Sequence, residues 1–285
     1  MKVASILLRG VLLVVAAALA IVLFGSRRFD ELVSRDVKQL YVDPGPGSGS
    51  EQIAARGGSL PEPVRRHLRY AVPAGTPAVR TVRLLHGGTF RTKPDAAWSP
   101  IEGEEYFTVG KPGFVWAARM EPAPGLWIGV RDEAIDGRGN MLVKLYSTFG
   151  IADASGPEID EGSRMRWLAE TPWFPTALAG KEIGWQAIDA RSARATLLDA
   201  GLPVSLVFEF DDEGKISGMR GERYFDTGGG RAVLRPWFGH VGDYREIGGI
   251  RIPTSADVSW GLDNGPFTYA RFHVTAVELN VPERF

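Results

Sequence analysis

The sequence predicts a mainly β protein: one curled antiparallel sheet of about 11–12 strands with a few short helices, preceded by one N-terminal transmembrane helix. Three observations carry this expectation. Residues 10–24 form an uncharged apolar run. From residue 79 onward apolar side chains recur with period two, the signature of strands that bury one face. The 35 glycines and 19 prolines among 285 residues supply the many turns that such a sheet needs.

The N-terminal run comes first. With residues 3–9 it reaches 22 residues, about 33 Å as a helix, enough to cross a hydrocarbon core of about 30 Å. Arg9 is placed to snorkel toward the headgroups. A cleaved signal peptide is the rival reading, with Ala18-Leu19-Ala20 as its cleavage site. The apolar run, however, continues to Phe24, and Arg27 and Arg28 follow at once. Residues 1–28 are therefore expected to be a membrane anchor, with the soluble domain outside the cytoplasm. Basic residues lie on both flanks, so the positive-inside rule does not choose a side.

Residues 29–51 are expected to be an amphipathic segment followed by a Gly/Pro/Ser linker. Leu32, Val33, Val37 and Leu40 recur at helical spacing, and 43–50 has a spacer's composition. A single β-rich domain is expected over 52–285. It opens with a short helix after Leu60, in which Pro63 fits the first turn and Val64, Leu68 and Ala71 share a face. Strands then follow one another. Ile101, Phe107 and Val109 share one phase, as do Phe114, Trp116, Ala118 and Met120. Leu126, Ile128 and Val130 form another stripe, and Met141, Val143 and Leu145 a fourth. Residues 163–170 read as a helix capped by Ser163 and stopped by Pro172, and 175–180 as a second helical turn. Strands resume at 183–189, 193–199, 203–211, 215–226, 233–246, 250–260 and 266–280. In the third of these, Val204, Leu206, Phe208 and Phe210 point one way. Gly228 to Gly230 reads as a loop.

About twelve antiparallel strands with one apolar face must curl, close or be covered. The interior is then either a filled core or a cavity for an apolar ligand. Trp116, Phe208 and Phe210 are the candidates to line it. Trp167, Glu170, Trp173 and Phe174 lie on the helical interruption best placed to form its mouth.

Composition excludes several classes. Residues 29–285 carry 29 bases against 34 acids, a poor match to nucleic acid. The absence of cysteine removes disulfides, thiolate nucleophiles, Fe–S clusters and lipid attachment at cysteine. No cofactor or metal is expected: the histidines His67, His86, His240 and His273 are scattered, and no HExxH occurs. There is no G-x-S-x-G elbow and no phosphate loop. The acidic stretch 153–161 lacks the ligand spacing of a calcium loop. Glu170 is the one candidate acid–base group, because a carboxylate among aromatics is held protonated more readily. A carboxylate bonding the backbone of the 172–175 turn is the plainer reading.

Four stretches resemble a bacterial family of unknown function, DUF6544 (formerly DUF6920): 60–69 (LPEPVRRHLR), 87–91 (GGTFR), 167–178 (WLAETPWFPTAL) and 243–253 (DYREIGGIRIP). The resemblance spans about 60–281 and implies no activity. The last stretch also looks like a hairpin of LolA/LppX-type lipoprotein carriers. That more distant likeness implies a LolA-like half-barrel, closed by helices, whose apolar interior holds acyl chains. The leading functional expectation is accordingly a monomeric, membrane-anchored binding protein for a lipid or other apolar molecule, without nucleic acid. Two alternatives stand beside it: an enzyme acting on an envelope lipid through Glu170, and a filled-core scaffold for a protein partner.

Overall fold

The computed structural model describes residues 2–198, 203–228 and 231–285. Its centre is a single open sheet of thirteen antiparallel strands, in the order β6-β5-β4-β3-β2-β1-β13-β12-β11-β10-β9-β8-β7. The strands are β1 (Thr81–Phe90), β2 (Ser99–Thr108), β3 (Gly113–Ala123), β4 (Leu126–Ile135), β5 (Arg138–Leu145), β6 (Phe149–Ser155), β7 (Ile183–Ala187), β8 (Ser192–Leu197), β9 (Val204–Phe210), β10 (Ile216–Asp226), β11 (Ala232–Ile247), β12 (Ile250–Leu262) and β13 (Gly265–Leu279).

The topology is two meanders joined in the middle by β1 and β13. The first meander runs out to the edge strand β6. The chain then crosses to the opposite edge, β7, through helix α4 (Pro157–Glu170) and two 3-10 turns, Thr171–Trp173 and Pro175–Ala179. Because the crossing joins two edges of one curled sheet, it must run over the concave face. Accordingly α4 touches strands of both arms, from β3–β6 on one side to β8–β10 on the other. Register shifts at Leu85/His86, Met120/Ala123, Val143/Lys144, Ile216/Gly218 and Val258/Ser259 add the local twist that curls the sheet.

Helix α1 runs unbroken over Lys2–Leu40, so the apolar run and the amphipathic segment are one rod. Its first half is exposed apolar surface. Its second half lies on the convex face: Phe29, Val33, Val37 and Leu40 pack on Tyr106, Val115 and Ala117. Both faces of β3 are thereby buried, Phe114 and Trp116 inward and Val115 and Ala117 outward. Asp36 pairs with Arg131 at 3.2 Å, and Arg131 with Glu133 at 2.7 Å, fastening the same contact. At the end of the apolar run, the β5–β6 turn meets α1. Thr148 Oγ1 donates to the Val22 carbonyl and Ser26 Oγ to that of Tyr146, each at 3.2 Å. A side chain at Gly25 would overlap Thr148, which accounts for glycine there.

Helices α2 (Ser50–Arg56) and α3 (Glu62–Ala71) close the end of the sheet away from the apolar run. Val64, Leu68 and Ala71 are buried on α3 as their spacing predicts. Within the Gly/Pro/Ser stretch, Ser48 is buried; its backbone bridges Val79 and its Oγ donates to the Thr176 carbonyl at 2.7 Å. The described residues form thirteen strands, in keeping with the expected count of about 11–12; β6 left no alternation in the sequence because its residues are almost all exposed. One expectation needs correction. Helix α4 begins at Pro157, after Gly156, and not at Ser163. The acidic residues of 153–161 are the end of β6 and the first turns of α4, where acids suit a helix N-terminus. Asp160 Oδ1 accepts the Gly139 amide at 2.7 Å and ties that end to β5. Residue 199 of the expected 193–199 strand and residues 229–230 of the expected loop lie outside the described residues.

The stretches quoted above have local reasons. Gly88, at φ 155°, faces the Arg271 carbonyl so closely that no Cβ fits. Gly248 and Gly249, at φ 62° and 81°, make the tight turn between β11 and β12. On the strand before it, the Tyr244 hydroxyl bonds both the amide and the carbonyl of Ile216 at 3.0 Å.

Candidate binding cavity

A cavity of about 420 Å3 lies between the concave face and α4. Ile101, Met120, Ile128, Val130, Met219 and Phe272 are among the apolar side chains that line it. Its position follows from strand register. Phe272, Gly88, Ile101, Met120, Ile128, Leu145 and Phe149 form one continuous cross-strand row. That row ends at the turn bonded to α1 near Val22 and Ser26. The outer part of the cavity is therefore level with the end of the apolar run. Phe90, Trp98, Trp127, Tyr146 and Phe149 lie at the same end of the sheet, where Trp127 and Tyr146 pack edge to face.

Four residues further along the strands, about 13 Å deeper, runs a second row: Glu105 on β2, Trp116 on β3 and Asp132 on β4. These neighbours across three strands must face the same way. Arg166 descends on them from α4. Its Nη2 donates to Glu105 at 2.7 Å, its Nη1 to Asp132 at 2.8 Å and its Nε to Glu170 at 2.9 Å. Its guanidinium carbon lies 4.7 Å from the Trp116 ring centre and 4.9 Å from that of Phe114. Arg166 and Glu170 meet because they are four residues apart on one helix.

Three carboxylates surround one cation. Burial, with Arg166 opposing it and Glu170 and Asp132 reinforcing it, holds Glu105 well above the usual carboxylate range. Burial also raises Glu170, against the pull of Arg166. Glu105 and Glu170 share the Arg166 guanidinium, and the charge of Glu170 adds to the rise of Glu105. Behind the row, Trp116 Nε1 donates to His86 Nε2 at 2.7 Å. Burial, aided by the Arg166 charge, pushes His86 down to about 3, so it is neutral and available as that acceptor. His67 is likewise buried and pushed down to about 4, bonding the Gly214 carbonyl at 2.8 Å. Among the described residues no group of three or more His, Cys, Asp or Glu side chains is arranged to hold a metal.

The seven residues singled out from the sequence divide into two sets. Trp116, Glu170 and Trp173 come together on the cavity wall. Phe208, Phe210, Trp167 and Phe174 lie in the solid core beyond it. Phe208 packs on Trp185 and Phe210 on His67. Trp167 donates its Nε1 to the Thr108 carbonyl at 3.0 Å and packs on Phe174, whose ring centre is 4.6 Å from that of Phe107. The crossing segment is buried through Thr171–Ala179 and packs the far half of the trough, while the cavity lies in the half near the apolar run. Glu105, Asp132 and Arg166 were not among those seven. Their signal was present: Glu105 and Asp132 fall in the phase of the apolar stripes 101–109 and 126–130, and Arg166 stands one turn before Glu170.

A model of the family described as a family of unknown function, DUF6544, matches residues 52–272. Among solved structures, a LolA superfamily protein from Nitrosomonas europaea is similar at 10% identity and a TM-score of 0.41, covering 76% of this chain and 92% of that one. A putative outer membrane lipoprotein-sorting protein domain from Vibrio parahaemolyticus is similar at 9% identity and a TM-score of 0.40, covering 82% and 92%. No curated protein matches the chain.

Proposed function

The chain belongs to the DUF6544 family, and from that premise we propose that it is a membrane-anchored binding protein for a lipid or another apolar ligand, with its β domain on the extracytoplasmic side. One observation carries the reading: the apolar cavity has its outer part level with the end of a helix long enough to span a bilayer. A ligand leaving the membrane beside α1 would pass from hydrocarbon to the cavity along an aromatic rim, the kind of surface favoured at membrane interfaces. The cavity's size falls within the range of about 300–1,000 Å3 common to small-molecule sites. Each methylene buried contributes about 0.8 kcal/mol, so affinity needs no catalytic group. In this reading Trp116 and Trp173 contact the ligand and Glu170 belongs to the polar end of the site.

The full chain, purified in detergent, is expected to release a co-purified lipid into organic solvent, seen by mass spectrometry at near-stoichiometric amount. It is also expected to take up a neutral, environment-sensitive apolar dye that added lipid displaces. An extract no different from the detergent blank, with no saturable dye uptake, would discard the reading. Sidedness has a direct measurement because the chain has no cysteine. A single cysteine at the exposed Glu213 is expected to react with a membrane-impermeant maleimide in intact cells. Reaction only after lysis would place the domain in the cytoplasm.

A further inference from the structure

The cavity carries charge at both ends, and the protein balances only one of them. At the inner end Asp132 and Glu170 share Arg166 with Glu105. Glu105 is 1% exposed and Asp132 4%, so the protein itself closes this cluster. Asp257, which also lines the cavity, lies 3.7 Å from Arg271. Every carboxylate on the wall therefore has a basic partner. Arg223 on β10 is the reverse case. It is half-buried on the same wall, and among the described residues no carboxylate stands within ion-pairing distance of it.

The fold holds this guanidinium in place without neutralising it. Its central carbon lies 5.3 Å from the Trp237 ring centre and 5.9 Å from that of Trp260, contacts that orient a cation and leave its charge standing. The rings are fixed in turn: Trp237 Nε1 donates to the Tyr269 hydroxyl at 3.2 Å, and Trp260 stacks on Tyr269. Nη2 donates to the Gly162 carbonyl on α4 at 3.0 Å, while Nη1 has no acceptor among the described residues. The cross-strand neighbour is another cation, Arg235, which takes the Asp263 carboxylate. The acids of the adjoining turn of α4 are engaged elsewhere. Asp160 binds the Gly139 amide, and Glu161 lines a separate hollow with Arg194 and Arg220.

Strand register places the cation. Val241, Ala256 and Phe272 extend the row that runs through Ile101, Met120 and Ile128. Trp237 precedes Val241 by four residues on β11, so it lies about 13 Å outward of that row, toward the end of the apolar run. The guanidinium over Trp237 is therefore at the outer end of the cavity. Between it and the inner cluster the wall is apolar: Met219, Val258, Phe272, Met120 and Ile128. A hydrocarbon would leave Arg223 without a counter-charge, and an ammonium would meet a like charge. An alcohol would accept a hydrogen bond and bring no charge. A carboxylate or a phosphate does both, and a charge-assisted bond from a weakly hydrated guanidinium is the stronger kind. Resting on the binding function proposed above, we infer that the cavity takes an amphipathic lipid with one anionic head, which binds Arg223 at the outer end while its tail lies inward along Met219, Phe272, Met120 and Ile128.

The test uses the full chain in a nonionic detergent at pH 8, with four probes of equal chain length displacing the same neutral dye: laurate, dodecyl phosphate, 1-dodecanol and dodecylamine. At least one of the two anions is expected to bind about tenfold more tightly than dodecanol, as a hydrogen bond between charged groups allows, with dodecylamine the weakest of the four. Whichever anion binds more tightly identifies the head as carboxylate or phosphate. Arg223→Met keeps the stem that packs on the tryptophans and removes the charge. It should cost the anion about tenfold in affinity and dodecanol far less, and Arg223→Lys should restore part of the difference. Dodecanol or dodecylamine binding as tightly as both anions would overturn the anionic-head assignment and leave the cavity's binding function standing. So would an undiminished preference for the anion in folded Arg223→Met. Failure of all four probes, with no saturable dye uptake, would overturn both. Should the variants fold poorly, the comparison of anions with dodecanol on the wild-type chain still decides the question.

Discussion

Replacing Arg166 with methionine is expected to cost the fold about 3–5 kcal/mol, the loss that follows when one partner of a buried ion cluster is removed. Methionine fills much of the same space, so the effect is electrostatic. Glu105, at 1% exposure, and Asp132, at 4%, would keep their burial and lose the cation that offsets it. The pH dependence gives a second handle. Glu105 and Glu170 already hold their protons more tightly in the folded chain than carboxylates do in water. A carboxyl raised in this way gives up stability as pH rises through its ordinary range toward its folded value. Without Arg166 both rise further, so the deficit should be larger at pH 8 than at pH 5. Urea unfolding at the two pH values measures it. Neutralising the partners in the same chain, with Glu105→Gln and Glu170→Gln, should recover much of the loss. A deficit under about 1 kcal/mol, equal at both pH values, would mean that water reaches the cluster freely.

How far this arrangement could be read beforehand depends on what kind of signal each part leaves. Period-two alternation located nearly every strand, because a strand with one buried face must alternate. It failed for β6, whose Phe149 and Ile151 are exposed on an edge and alternate with nothing. It also blurred β3, where α1 covers the outer face and makes Val115 and Ala117 as buried as Trp116. The spacing of Leu32, Val33, Val37 and Leu40 announced an apolar stripe; in the structure Phe29 replaces Leu32 in the buried contact, and nothing local says which strand receives it. The start of helix α4 leaves little signal in the sequence because it rests on Gly156 and Pro157, and the helix's low amphipathicity reflects contact with both arms of the sheet.

The candidate site was legible only as residues, not as a place. Aromatic side chains on one phase mark the inside of a curled sheet without saying which part of the inside is full. That is decided by where the crossing segment comes to rest, a long-range outcome of joining β6 to β7. The polar cluster had the opposite character. Glu105 and Asp132 stood in apolar stripes, where a charge is costly unless paired. Two acids out of place on nearby strands, with an Arg and a Glu four apart on a helix, are a signature of a buried ion network. Pairing them requires the register Glu105–Trp116–Asp132, which turn lengths alone leave open by a residue, and a one-residue slip would point either acid to the other face.

The adjacent pair Trp173 and Phe174 turns this division into an expected contrast. Both were candidates for the cavity mouth, yet the 3-10 turn sends them to different surroundings. Phe174 is fully buried between Phe107 and Trp167, with ring centres 4.6 and 5.6 Å away. Phe174→Ala removes a ring from a packed site with aromatic neighbours on two sides, and the expected loss is about 3–5 kcal/mol. Surviving folded protein should bind the neutral dye with unchanged affinity, because Phe174 does not line the cavity. Trp173 lines it, so the ring's inner face has ligand or open space where Phe174 has carbon. Truncation there enlarges an existing cavity and forfeits fewer contacts, so Trp173→Ala should lower stability less than Phe174→Ala and weaken dye binding more. Urea unfolding and dye titration on the two variants separate the outcomes. If Phe174→Ala weakened binding while stability held, the filled far half of the trough would be part of the ligand site. If Trp173→Ala unfolded the chain as severely as Phe174→Ala with affinity intact, Trp173 would be a core plug and no part of the ligand site.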